Sequence, residues 1–352
     1  MQNELPVPKL FKEKKVEKVY RVDYAKVRKV GKAWAKKHNI KPASQDELKI
    51  ALLLIDVQNT FCIPGYELFV GGKNGRGAIE DNARLCDFIY RNTSNITKIV
   101  SSLDTHTMFQ VFHPDFFVNK KKKNPDPYTV ISAAELENGT WTINPELPYI
   151  LRAQQSMYQD FNYLQKQSVY YAQELEKTGK KILIIWPLHA MLGGIGHAMV
   201  STVHEASIFH GSARQTDLNF EMKGLRPLSE NYSIFEPEVV TEFTGERLIP
   251  LDDSLWHYLM YSEGGYNAIV VAGQAKSHCV AESLESMAKY ITASGVPELA
   301  QKIYLLEDCT SPVVTPAIDF TDMANAAYTK FAELGMHIVK STDPMESWPG
   351  LK

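Results

Sequence analysis

The sequence predicts an α/β protein: a doubly wound, Rossmann-like parallel sheet of about six strands with helices on both faces. Three observations lead there. Short apolar runs alternate with longer stretches of helical period along most of the chain. Runs such as 268–272 are apolar at every position, as in a strand covered on both faces. Polar residues capable of chemistry tend to fall just after such runs, where an open α/β sheet keeps its ligand crevice.

The elements follow in order. The first strand is expected at 48–55, ending at Asp56, and a helix follows at 80–92. The second strand, 96–103, ends at Asp104, and a third, 181–185, ends at Trp186. A helix is expected at 197–209. A strand at 268–272 runs through a glycine-containing turn into a helix at 280–291 that begins beside Cys279. Strands at 303–306 and 336–339 flank a helix at 322–334. Strands separated by helices imply right-handed crossovers and parallel pairing.

Two kinds of segment stand outside this alternation. Residues 1–46 form a basic extension in which Val19, Val22, Ala25, Val27, Val30 and Trp34 are spaced for one or two short amphipathic helices. The expectation is a helical arm packed on the body, in preference to RNA binding, because no RNA-binding motif accompanies the charge. The body, 47–352, carries insertions near 116–170 and 211–250. The stretch 116–144 reads as a solvated loop with four consecutive lysines at 120–123.

Composition narrows the function classes. With 44% hydrophobic and 22% charged residues, the chain is an ordinary globular protein. A net charge of −3 implies no general attraction to nucleic acid or membrane. Four cysteines without paired spacing argue against a disulfide scaffold or thiolate zinc site, and for a reducing, cytoplasmic setting. No signal peptide or membrane span is expected.

Cys279 is the leading nucleophile candidate. A helix N-terminus favours a thiolate, so its pKa is expected to be lowered. The alternative is a small apolar residue filling a strand–helix junction. Asp104, His106 and His189 make a carboxylate and two imidazoles, a ligand set for zinc, iron or manganese with positions left for water or substrate. His113 is a possible further ligand.

In this order these residues match a known pattern. The chain resembles the nicotinamidase branch of the isochorismatase-like cysteine hydrolases. Asp56, Gln58 and Phe61 match an Asp-x-Gln-x-x-Phe block, and Trp186-Pro-Leu-His189 a Trp-Pro-x-His block. The stretch from Phe220 through Lys223 to Phe235 matches the block with the family lysine, and Gly273 through Cys279 the nucleophile turn. The resemblance implies the isochorismatase-like fold over about 48–340 and a catalytic triad of Asp56, Lys223 and Cys279. It implies an oxyanion site at the N–H groups of Ala275 and Cys279, and a cis peptide bond before Ala275. Phe61, Trp186 and His278 would contact substrate, and a divalent transition metal would sit on Asp104, His106 and His189.

The implied activity is release of ammonia from a small carboxamide, nicotinamide in the first instance, through a Cys thioester. The implied partners are a small-molecule amide and further copies of the chain as a homo-oligomer. The alternatives are an amidase or carbamoyl hydrolase of another small substrate, or a non-catalytic scaffold. Lys276-Ser277-His278 departs from the family's usual turn, and basic residues at 120–123 and 223–226 suggest a larger or anionic amide if they line the mouth.

Overall fold

The computed structural model describes residues 3–177, 181–315 and 318–351. Its centre is a parallel sheet of six strands: β1 (Ile50–Ile55), β2 (Lys98–Asp104), β3 (Leu218–Lys223), β4 (Ala268–Gly273), β5 (Ile303–Leu306) and β6 (His337–Val339). Their order is β6-β5-β4-β1-β2-β3, with every neighbouring pair parallel. The chain winds outward from β1 to β3, then returns to begin the other half at β4. The order therefore reverses between β1 and β4, and the crevice outside their carboxyl ends is the expected ligand site.

All six residues of β1 are buried because both faces are covered. Ile50, Leu52 and Leu54 pack into one core with helices α1 (Tyr24–His38), α2 (Gly77–Arg91) and α4 (Ser201–Arg214). Ala51, Leu53 and Ile55 face the opposite core, formed with α5 (Cys279–Ser294) and α6 (Thr321–Glu333). The remaining long helix, α3 (Phe161–Lys177), belongs to neither.

The expected third strand is not in this sheet. Only Leu183–Ile184 is extended, and it pairs antiparallel with Val130–Ile131. The missing position is filled by β3, inside a stretch that reads as polar loop. As an edge strand β3 exposes Phe220 and Met222 between half-buried polar positions, so it shows no continuous apolar run. The helix expected at 197–209 begins four residues later and runs to Arg214.

The insertion is also more ordered than its composition suggests. Phe117–Asn119 pairs with Trp141–Ile143 in an antiparallel ribbon, and Ser132 with Glu135 forms a capping box on a short helix. With α3 these pieces enclose a third core containing Phe112, Phe116, Phe117, Leu147, Leu164 and Tyr171. The lysines at 120–123 remain exposed on its turn, away from the cavity described below.

In the basic extension, whose first two residues lie outside the described ones, Asp23 caps α1 by accepting from the Lys26 N–H at 3.0 Å. Val22 and Val27 are buried, Val30 and Trp34 pack at the core edge, and Val19 is exposed. α1 lies so close to α4 that a Cβ on Gly31 would stand 2.7 Å from the Phe209 carbonyl oxygen. Fully buried Arg214 on α4 ties the end of the extension to the body through the Lys41 carbonyl and the Asp46 carboxylate. Among the described residues, no helix is long and apolar enough to cross a membrane.

Candidate active site

Four sheet ends converge at the switch point. Asp56 follows β1, Asp104 and Lys223 close β2 and β3 as register partners, and Cys279 follows the turn after β4. That turn needs Gly273. Its φ is +125°, and a Cβ would lie 2.0 Å from the Ile55 carbonyl oxygen, so only glycine lets β4 leave the sheet this close to β1. The Gln274–Ala275 peptide bond is cis. Asp56 itself has φ +47°, an uncommon conformation for a non-glycine residue and one that clusters at functional sites.

Lys223 is the hub. Its Nζ lies 3.0 Å from Asp56 Oδ2 and 2.9 Å from Asp104 Oδ1, donates to the Asn231 carbonyl at 2.7 Å, and lies 3.7 Å from Cys279 Sγ. Burial opposes its charge, but the two carboxylates override burial and hold the amine cationic, with its pKa well above the lysine range. Burial raises the Asp56 pKa against the pull of Lys223. Asp56 also accepts from Ser102 Oγ at 2.6 Å, while the Asp56 N–H donates to the same oxygen at 2.9 Å.

Cys279 departs from expectation in its ionisation. Burial pushes the thiol pKa well up, Lys223 opposes this, and the Asp56 and Asp104 charges push it further. The helix N-terminus does not outweigh these effects, so the resting group is a thiol beside Asp56. The N–H groups of Ala275 and Cys279, beside that thiol, have no partner among the described residues.

Asp104 links this cluster to two imidazoles. Its Oδ2 lies 2.8 Å from His106 Nε2 and 3.6 Å from His189 Nε2. Burial would raise the Asp104 carboxyl, but His106 and Lys223 hold it well below the usual carboxylate range. One ligand atom from each of Asp104, His106 and His189 lies within 4.8 Å of the others, all buried.

The tautomers suit a metal. His106 Nδ1 meets the Gly224 carbonyl at 3.2 Å and His189 Nδ1 meets the Pro187 carbonyl at 2.8 Å. A ring whose Nδ1–H is held by a carbonyl presents Nε2 as ligand. His113 follows the same rule: Nδ1 meets the Thr107 carbonyl at 2.9 Å, and its buried Nε2 has no partner. Its ring centroid is 5.6 Å from those of both His106 and His189. Burial and those two rings push its pKa down to about 3, so it is a neutral donor. Gln110 instead anchors the loop, with Nε2 donating to the Gly224 and Arg226 carbonyls.

Gln58 fixes the spacing of the two carboxylates. Its side-chain oxygen accepts from the Asp104 N–H at 2.8 Å, and its Nε2 donates to the Asp104 carbonyl at 2.8 Å. The turn after β1 and the end of β2 are thus clamped together.

A cavity of about 480 Å³ opens from Cys279. Asp104, His189 and Glu230 share its inner end with the cysteine, and Phe61, Trp186 and His278 are in its walls. Sequence reasoning missed Ser102, Glu230 and Tyr232. Burial raises the Glu230 pKa to about 7, with His106 opposing and Asp104 reinforcing. Tyr232 accepts from Trp186 Nε1 at 3.1 Å, bracing that wall. The signal available for the two latter residues was Glu230-Asn-Tyr232, inside the lysine block; Ser102 had none beyond its place in β2.

Comparison with known proteins bears on the fold. The chain is similar to the structure of the yeast nicotinamidase bound to the inhibitor nicotinaldehyde, at 16% identity and a TM-score of 0.50, over 83% of this chain and 99% of that one. It is similar at 17% identity and TM-score 0.46 to the Acinetobacter baumanii nicotinamidase/pyrazinamidase, over 85% of this chain and 99% of that one. A Pyrococcus horikoshii pyrazinamidase in complex with zinc follows at 15% identity and TM-score 0.42, over 83% and 98%. No protein-family model and no curated protein matches the chain. The fold implied by the resemblance, a doubly wound α/β sheet, is the fold observed.

Proposed function

We propose that the chain is a cysteine amidohydrolase of the nicotinamidase-like branch, with Asp56, Lys223 and Cys279 as its catalytic residues. One observation carries this reading. A buried ammonium contacts both a buried carboxylate and a buried thiol at the switch point of the sheet, open to a cavity. A buried ion pair of this kind is costly as architecture and useful as chemistry.

The steps follow from the contacts. The Cys279 Sγ–H proton passes to Asp56, whose raised proton affinity suits a base, while Sγ bonds to the amide carbon. The carbonyl oxygen takes up the electron pair and accepts from the Ala275 and Cys279 N–H groups. Asp56 returns its proton to the amine nitrogen, the C–N bond breaks and ammonia leaves. Water then gives a proton to Asp56 and adds to the thioester. The C–S bond breaks, the acid is released and the thiol is restored. Lys223 keeps its proton throughout and balances whichever of Asp56 or Sγ is anionic.

Asp104, His106 and His189 fit a divalent transition metal (zinc, iron or manganese), with His113 as a further donor. A metal bound there would supply Lewis acidity and open positions for water or a ligand nitrogen. Phe61, Trp186 and His278 would contact the acyl group. The test is ammonia release from a panel of primary amides that includes nicotinamide. Turnover by the wild type and none by folded Cys279→Ala is the expected result. Equal turnover by both would end the proposal.

A further inference from the structure

The cavity is larger and more apolar than a single amide-bearing ring requires. At about 480 Å³ it falls in the range of about 300–1,000 Å³ that holds drug-sized ligands. Most of its lining is apolar, Phe69, Tyr128, Ile184, Val313 and Phe320 included, with Glu67, Asp104, His189, Glu230 and Thr315 among its polar members. Tyr128 and Val130, at 53% and 46% exposure, form an apolar rim. Among the described residues no Lys or Arg lines this cavity, so the expected preference for an anionic amide finds no support. Lys181, whose Nζ lies 5.7 Å from the Tyr232 ring centroid, is engaged by Glu238 and Glu282.

A second imidazole belongs to the aromatic part of the wall. The His278 ring stands among Trp186, Tyr232 and Phe320, at centroid distances of 6.2, 5.6 and 4.8 Å. Its tautomer is set by a relay. The Val313 N–H donates to Ser277 Oγ at 3.0 Å, and Ser277 Oγ lies 2.9 Å from His278 Nδ1. Among the described residues the buried Ser277 hydroxyl has no other acceptor, so its proton points to Nδ1. The ring proton then sits on Nε2, which has no protein partner among the described residues and is not sealed off from the cavities. Burial, reinforced by Lys181, pushes the His278 pKa down to about 4, so the ring is neutral at pH 7. His278, Ile184, Tyr232 and Phe320 also line a second cavity of about 620 Å³, whose lining includes the charged residues Lys181, Glu282, Glu285 and Lys330.

Building on the amidohydrolase reading, we propose that this site takes a neutral carboxamide with an extended, largely apolar aryl group bearing a hydrogen-bond acceptor, and that His278 reads the acceptor through Nε2–H. The acceptor is what the site selects for. An apolar ligand of the same shape leaves a desolvated donor unpaired, and that penalty discriminates more strongly than added contact area.

Binding to Cys279→Ala is measured by calorimetry, apart from turnover, with nicotinamide, 3- and 4-benzylbenzamide and 3- and 4-benzoylbenzamide. The benzoyl and benzyl members differ in having a carbonyl or a methylene at the bridge. At least one benzoyl compound should bind at least tenfold tighter than nicotinamide and about tenfold tighter than its benzyl counterpart. Adding His278→Phe should remove about tenfold for the benzoyl compound and under threefold for the benzyl one. Ser277→Ala, which frees the tautomer, should narrow the same gap and serves if His278→Phe does not fold. Nicotinamide binding as tightly as all four larger amides would overturn the inference, as would equal losses for benzoyl and benzyl ligands. Ammonia release by wild-type protein runs alongside. Release from none of the amides would reject the amidohydrolase reading, while the binding results still decide what the cavity selects.

Discussion

Lys223→Met tests whether the ammonium at the sheet ends is what allows two carboxylates to be buried side by side. The substitution keeps the length and apolar stem of the side chain and removes only the charge and its donors. Asp56 and Asp104 would then face each other with the contacts at 3.0 and 2.9 Å gone and the Asn231 carbonyl without its donor. Removing one partner of a buried ion pair costs about 3–5 kcal/mol. Unfolding entropy of roughly 2.1 cal/mol/K per residue over 352 residues gives about 0.7 kcal/mol/K. The melting temperature should therefore fall by about 4–7 °C. The lower end is favoured because Asp56, whose proton affinity is already raised, can relieve the strain by taking up a proton. Scanning calorimetry after dialysis against a chelator is the assay, so that no bound cation stands in for the missing ammonium. A melting temperature within 1 °C of wild type would show that the carboxylates do not depend on Lys223, and the charge balance argued above would fail.

Two further outcomes are expected. Washed protein should retain about one zinc, iron or manganese per chain by elemental analysis, and His189→Ala should lose most of it; unchanged content would place the metal elsewhere. His210 is buried with Nε2 on the Ile96 carbonyl, and burial, reinforced by Arg214 and Lys98, pushes its pKa down to about 4. A depressed histidine contributes stability that is complete above its unfolded value of about 6.5 and is lost as pH falls toward 4. The loss is about 3 kcal/mol. Denaturant unfolding from pH 7.5 to 4 should show a shallower decline in His210→Gln, and parallel curves for the two proteins would count against this.

What the sequence disclosed followed physical signal strength. β1 and β4 are continuous apolar runs because both faces are covered, and Asp56, Asp104 and Cys279 were legible as polar residues at or just past strand ends. β3 was not, because an edge strand with exposed Phe220 and Met222 has neither a clean run nor a clean alternation. Leu183–Ile184 misled for the opposite reason: its apolar residues serve the insertion's core rather than the sheet. The ionisation of Cys279 was misjudged because helix position is a local cue, whereas burial beside two carboxylates exists only in the assembled site. Ser102 gave no cue, since its value lies in facing Asp56 across a strand pair.

The insertion's separate core has an evolutionary consequence. Cys279, Asp56 and Lys223 are anchored on the central sheet, while Trp186, Ile184 and Tyr128 stand at the margin of a folded unit that has its own apolar interior. The contacts among Asp56, Lys223 and Cys279 and one side of the cavity mouth are thus encoded in different stretches of the chain. Substitutions in the insertion can reshape the mouth without moving the contacts among Asp56, Lys223 and Cys279.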